Sequence, residues 1–226
     1  MKNMIKQIFI IRTAPYDYQI EGMSLYESFN AVAKRKIEVS INSKAAGYFD
    51  RKLSSKIVNI SSVYCSPRTR SIETAKFVSQ DPQIFNELIE VKFRMEDFIS
   101  EKDFFDKQGK PKVQKARKFF VFALINDNLE ESYQEVMQRI ELLIDKIKKD
   151  KSNKVLIFSH GFYMKIIEAY IRDNSIKSNP KKLLNYFDGS IETFKFCEGF
   201  ILDQKNGKLV FNAYISDEEA KNDIRK

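Results

Sequence analysis

Apolar residues fall along this chain in blocks whose spacing changes from one block to the next. Ile5 to Ile11 is a nearly unbroken apolar run rich in β-branched residues, the pattern of a strand covered on both faces. Ile57–Tyr64 and Val155–Phe158 repeat it. Elsewhere the period lengthens to that of a helix, over Leu25–Val32, Ser43–Leu53, Arg68–Val78 and Phe162–Ile171. Pro67 fits the first turn of the third of these, where a missing N–H costs nothing. Ser132-Tyr-Gln-Glu135 is a capping box, opening a helix that lines up Tyr133, Val136, Met137, Ile140, Leu143, Ile144 and Ile147. Phe119 to Ile125 reads as a core element, and Phe200 to Tyr214, with Asn206-Gly207 at its middle, as a β-hairpin. Strands alternating with helices predict an α/β fold: a three-layer α/β/α sandwich around a mostly parallel central sheet.

The 226 residues suit one large domain or two small ones. The expectation is a single domain over residues 1–215, followed by a polar tail at 216–226. A basic surface insertion is expected at about 98–128, densest where Lys102, Lys107, Lys110, Lys112, Lys115, Arg117 and Lys118 face only Asp103 and Asp106. With 19 Phe and 10 Tyr there is material for a packed core, so a wholly disordered chain is excluded. No apolar run reaches the roughly 18–20 residues of a membrane span. The chain runs into its first strand without a cleavable presequence, so a cytoplasmic location is expected.

Composition then narrows the chemistry. Cys65 and Cys197 are too few for a disulfide framework and lack metal-ligand spacing, which predicts buried free thiols. His160 is the single histidine, so no zinc site is expected, and imidazole chemistry has one candidate. No cofactor is expected. The net charge of +8 permits nucleic-acid, membrane or acidic partners. No recognised nucleic-acid motif accompanies it, and the plainer reading is a solvated lysine-rich surface.

Three polar motifs sit at the carboxyl ends of predicted strands, where sheets of this class bind ligands: Arg12-Thr13-Ala14, Ser66 to Arg70, and Ser159-His160-Gly161. Arg12 and Arg70 offer two guanidinium forks suited to phosphate or carboxylate. His160 adds an imidazole to the same site. Each residue also has a plainer role: either arginine paired to a neighbouring acid, or the histidine completing a turn.

The order of these motifs resembles the histidine phosphatase superfamily, which includes phosphoglycerate mutases. Ile10-Ile-Arg12-Thr13-Ala14 stands where that family has Arg-His-Gly. Ser66-Pro-Arg-Thr-Arg70-Ser-Ile-Glu-Thr74-Ala75 matches its Ser-Pro-x-x-Arg-x-x-x-Thr-Ala. Leu88-Ile-Glu90 matches Leu-x-Glu, and Ser159-His160-Gly161 the late His-Gly. The resemblance implies a phosphoglycerate mutase-like fold, a phosphate pocket of Arg12, Arg70 and His160, and Glu90 as general acid. Glu96 and Asp97 are nearby alternatives for that acid.

The departure from the family carries more weight than the match. The family's nucleophile is the histidine of Arg-His-Gly, and Thr13 replaces it. A hydroxyl is almost wholly protonated at neutral pH and needs a positioned base. Loss of a nucleophile commonly costs on the order of 10⁴–10⁶ in rate. Ala14 adds a methyl where the family's glycine lets a ligand approach, and Tyr16 stands where some branches place a further arginine. Three functional classes follow. The first is a binding or structural module that has lost phosphoryl transfer, with protein partners or a place in a larger assembly. The second is a phosphomonoesterase using Thr13 or His160 as a non-standard nucleophile. The third is a basic nucleic-acid binder.

Overall fold

In a computed structural model describing residues 5–187 and 194–216, six strands form one mixed sheet in the order β3-β2-β4-β1-β5-β6. They are β1 (Lys6–Arg12), β2 (Ser62–Cys65), β3 (Gln83–Ile84), β4 (Lys154–Ser159), β5 (Gly199–Lys205) and β6 (Lys208–Ile215). The first four are mutually parallel, and the β5–β6 hairpin joins β1 antiparallel. The helices are α1 (Leu25–Ala33), α2 (Ala45–Leu53), α3 (Thr69–Ala75), α4 (Glu101–Phe104), α5 (Val113–Ile125), α6 (Tyr133–Lys149) and α7 (Gly161–Arg172).

The alternation of a strand's side chains divides the core in two. Ile8 and Ile10 of β1, with Val155 and Ile157 of β4, pack on the side covered by α5, α6 and α7. Phe9 and Ile11, with Leu156 and Phe158, pack on the side of α2 and α3. This is the expected three-layer α/β/α sandwich with a mostly parallel centre. The Ser132 capping box and the seven-residue apolar face of α6 are present as read. So is the hairpin turn, with Asn206 at φ 49° and Gly207 at φ 73°, as two-residue loops of this kind require. Both cysteines are free and buried, and burial raises the Cys65 thiol to about 11 and the Cys197 thiol to about 12.

Several boundaries differ. The second strand starts only at Ser62, because residues 57–60 close the link from α2, and the Ser61 N–H, 2.9 Å from the Lys154 carbonyl, makes the first backbone hydrogen bond to β4. α3 begins at Thr69 with Arg68 as its N-cap, so Pro67 lies just outside the helix. Phe119 to Ile125 is amphipathic rather than uniformly internal. Phe120, Val121, Ala123 and Leu124 are buried, while Phe119 and Phe122 face outward because α5 covers the core with one side only. The basic stretch occupies α4, the turn after it and the start of α5. The predicted tail, from residue 217 on, lies outside the described residues.

Candidate active site

Strand register sets the site. Arg12 lies opposite Ser159, and Cys65 opposite Phe158, so β1, β2 and β4 end at one level. Beyond that level Thr13, Arg70 and His160 line a single cavity of about 250 Å³, together with Arg12 and Glu90. The three strand-end motifs therefore meet.

The Ser66–Ala75 motif is a hydrogen-bonded unit. Ser66 N–H donates to Ser71 Oγ at 3.1 Å, and Arg68 N–H donates to Ser66 Oγ at 3.3 Å. Thr74 Oγ1 donates to the Arg70 carbonyl one turn back at 2.6 Å and accepts the Ala14 N–H at 3.0 Å. That last bond ties the β1 loop to α3. It also turns Ala14 into the core with Cys65 and Phe158, fully buried. Its methyl thus faces the core, and the ligand-side obstruction expected from it does not arise. Tyr16 does line the cavity, its ring 4.8 Å from the Arg70 guanidinium carbon.

His160 is buried, and both its ring nitrogens are engaged. Arg70 Nη2 lies 3.1 Å from Nδ1, and Ser66 Oγ lies 2.8 Å from Nε2. A guanidinium can only donate, so Nδ1 is the unprotonated acceptor and Nε2 carries the hydrogen given to Ser66. Burial, then Arg70, Arg68 and Arg12, hold the imidazole pKa well below its ordinary value, which keeps this tautomer neutral. Thr13 is buried in the same wall, and among the described residues no hydrogen bond joins it to His160.

Arg70 itself is 4% exposed, and its Nε and Nη1 hydrogens have no acceptor among the described residues. Arg12 is used differently. Its Nη1 donates to the Phe194 carbonyl at 2.6 Å, its Nη2 to the Tyr18 hydroxyl, and its guanidinium lies 4.4 Å over the Phe196 ring. Among the described residues neither arginine pairs with a carboxylate.

Glu90 spans from the loop after β3 to the start of α7. Its carboxylate accepts the Tyr163 N–H at 2.8 Å, the Phe162 N–H at 3.2 Å and its neighbour Val91 N–H at 3.1 Å. These N–H groups include two that a helix start leaves without internal partners. Burial raises the Glu90 pKa, against those backbone bonds and the charge of Arg70. The alternative acids lie elsewhere. Glu96 pairs with Lys34 and Asn30, and Asp97 with Arg94, so neither reaches the cavity.

Several lining residues escaped the sequence reading. Arg68 was in view only as a variable position of the motif, yet it is 4% exposed and pairs with Glu38 at 3.0 Å. Its other donors hold the carbonyls of Val32 and Ile37. Arg35, at φ 60°, donates to the Glu90 carbonyl at 2.7 Å, and no local pattern announces it. Tyr18 and Tyr16, two apart in an extended loop, share one side, a spacing that was readable. Among the described residues no cluster of side chains suits a metal ion.

Residues 44–198 match the histidine phosphatase superfamily (branch 1). The chain belongs to that family. The matched stretch covers the Ser66–Ala75 motif, Glu90 and His160, and opens after β1. Solved structures agree on the fold. An α-ribazole phosphatase from Shigella flexneri has a TM-score of 0.56 at 16% identity, covering 93% of this chain and 96% of its own. A phosphoserine phosphatase from Entamoeba histolytica, bound to phosphoserine, has 0.56 at 13%, covering 93% and 97%. A phosphoglycerate mutase from Bacillus anthracis has 0.57 at 15%, covering 92% of each chain. A search of curated proteins finds no match.

Proposed function

We propose that this histidine phosphatase family member binds phosphorylated ligands at the β1–β2–β4 ends without forming a phosphohistidine. In this reading it acts as a binding module or as a subunit of a larger assembly. The observation that carries the reading is the state of His160: both nitrogens are committed, to Arg70 and Ser66, and neither reaches Thr13. A threonine hydroxyl without a base is a poor nucleophile, and the one imidazole in the chain does not serve as that base in this arrangement. The unpartnered, buried Nε and Nη1 of Arg70 support retention of the anion site.

A second reading, turnover through Thr13 or His160 after rearrangement, draws on the raised pKa of Glu90, which favours a protonated acid. One pair of experiments separates the two. Titration with phosphate and vanadate, by calorimetry or NMR, is expected to show weak, salt-sensitive binding. Arg70→Ala abolishes that binding, and Lys112→Ala leaves it unchanged. Aryl phosphatase turnover is expected near background. Robust turnover lost in His160→Ala establishes the second reading, and absence of any oxyanion binding removes the first.

A further inference from the structure

The cavity combines charged side chains, Arg35 and Arg117 among them, with an extensive aromatic wall. Besides the charged groups and Thr13, its lining is aromatic or aliphatic, with Phe29, Val32, Phe93, Val113 and Phe162 prominent. Among the described residues no Asn, Gln, Ser or Asp side chain lines it. The aromatic part of the wall offers a substituent no hydrogen bond, so a polar group placed against it is desolvated without compensation.

The apolar walls are also held in place before any ligand arrives. Phe162 packs on Phe120 with ring centroids 4.3 Å apart, and Phe93 completes the group at 5.1 Å from Phe120 and 5.8 Å from Phe162. Opposite chain segments supply Phe29, fixed at 4.7 Å from Tyr18 and 5.8 Å from Phe104. A cavity of about 250 Å³ lies below the ~300–1,000 Å³ of most ligand clefts, so it takes one compact group.

Resting on the proposed oxyanion site, we infer that its ligand is a phosphomonoester of a compact aromatic group: the phosphate meets Arg70 and the ring lies against Phe162 and Phe29. Hydroxylated phosphates such as glycerol or sugar phosphates are the disfavoured class.

Calorimetric or NMR titrations of the full chain with inorganic phosphate, glycerol 3-phosphate, phenyl phosphate and 1-naphthyl phosphate test this. Burial of the ring is expected to make 1-naphthyl phosphate bind about tenfold or more tighter than glycerol 3-phosphate, with phenyl phosphate between them. Phe162→Leu, which removes the ring while keeping an apolar side chain, lowers that affinity ratio severalfold. A ratio is read so that general loosening of the site, which weakens both ligands, does not count. Val113→Ser, at a position already 37% exposed, lowers the ratio without the risk to folding. Equal affinities for the glycerol and naphthyl esters, with phosphate itself bound, overturn this inference and leave the oxyanion reading standing. No binding of phosphate or of any ester overturns the oxyanion reading.

Discussion

Glu90 offers the sharpest test of how the site is built, because its place in the family and its bonding here point to different consequences of mutation. As a poised acid at a cavity wall it would matter to chemistry and little to folding. As bonded, it completes the start of α7, whose N-cap residue His160 contributes no side-chain capping bond. Glu90→Ala strips the acceptors from the Phe162 and Tyr163 N–H groups. A buried donor left unsatisfied costs about 1–3 kcal/mol, and loss of a helix cap typically about 1. Removing the negative charge from the positive end of the helix adds about 0.3–1. Against this, the raised pKa shows that the carboxylate is held at some desolvation cost, which the variant relieves. Water entering from the cavity also re-satisfies part of the loss.

The balance is a destabilisation of about 1–3 kcal/mol for Glu90→Ala, with Glu90→Gln about half of that, since one carbonyl oxygen can still accept. At roughly 2–4 °C per kcal/mol for a domain of this size, the alanine variant should melt about 2–12 °C lower. Calorimetry and urea denaturation measure it directly. An alanine variant within about 0.5 kcal/mol of the parent would refute the capping role and return Glu90 to a purely chemical one.

Two further outcomes follow from the same geometry. The depressed pKa of His160 means its neutral form stabilises the fold fully above about pH 6.5, and the contribution is lost as pH falls below that, at up to about 1.4 kcal/mol per unit. Glu90, with a raised pKa, works the other way, its penalty easing on acidification, so the check is comparative: the fall in melting temperature from pH 7.5 to 5.5 should be smaller in His160→Asn, and equal slopes would refute it. Gly199 faces β1 so closely that a Cβ would sit 1.9 Å from the Ile10 carbonyl oxygen; Gly199→Ala should cost at least about 3 kcal/mol, read as lost soluble yield or a lowered denaturation midpoint.

The sequence disclosed what depends on local pattern. The apolar runs of β1 and β4, the α6 capping box and the Asn206-Gly207 turn each carry their geometry in a few neighbouring residues. β2 was over-extended because the apolar residues Ile57 and Ile60 are buried or partly buried without pairing in the sheet, and apolarity alone does not distinguish the two. Within the site, the residues on strand ends were legible, since topology places them. Arg35 and Phe29 were not, because each reaches the cavity from a segment distant from the strand ends, and Phe162, two residues after His160, reads only as the start of an apolar helix. The role of Ser66 was half legible: the motif displayed it, but only the approach of β4 makes it the partner of His160.

The charge balance of the cavity follows from where the counter-charges lie. Two guanidiniums lining one cavity repel, by roughly 3 kcal/mol for any two unit charges about 6 Å apart at an effective dielectric near 20, so one expects a carboxylate between Arg12 and Arg70 or a means of doing without one. The carboxylates are present but displaced outward: Glu38 serves Arg68, and Glu131 lies 4.0 Å from Arg35. Glu90 comes nearest, and its oxygens are turned to α7. What meets the two central arginines is a set of neutral acceptors and π faces: the Phe194 carbonyl and Tyr18 for Arg12, the imidazole and Tyr16 for Arg70. Dipoles orient these side chains without cancelling their charge. The neutral state of His160 is part of the same solution, since a protonated ring would lose the Arg70 bond and add a third positive charge. Among the described residues the residual field is therefore a consequence of keeping the carboxylates off the centre, and in the proposed reading the unpartnered Nε and Nη1 of Arg70 are where an anion would discharge it.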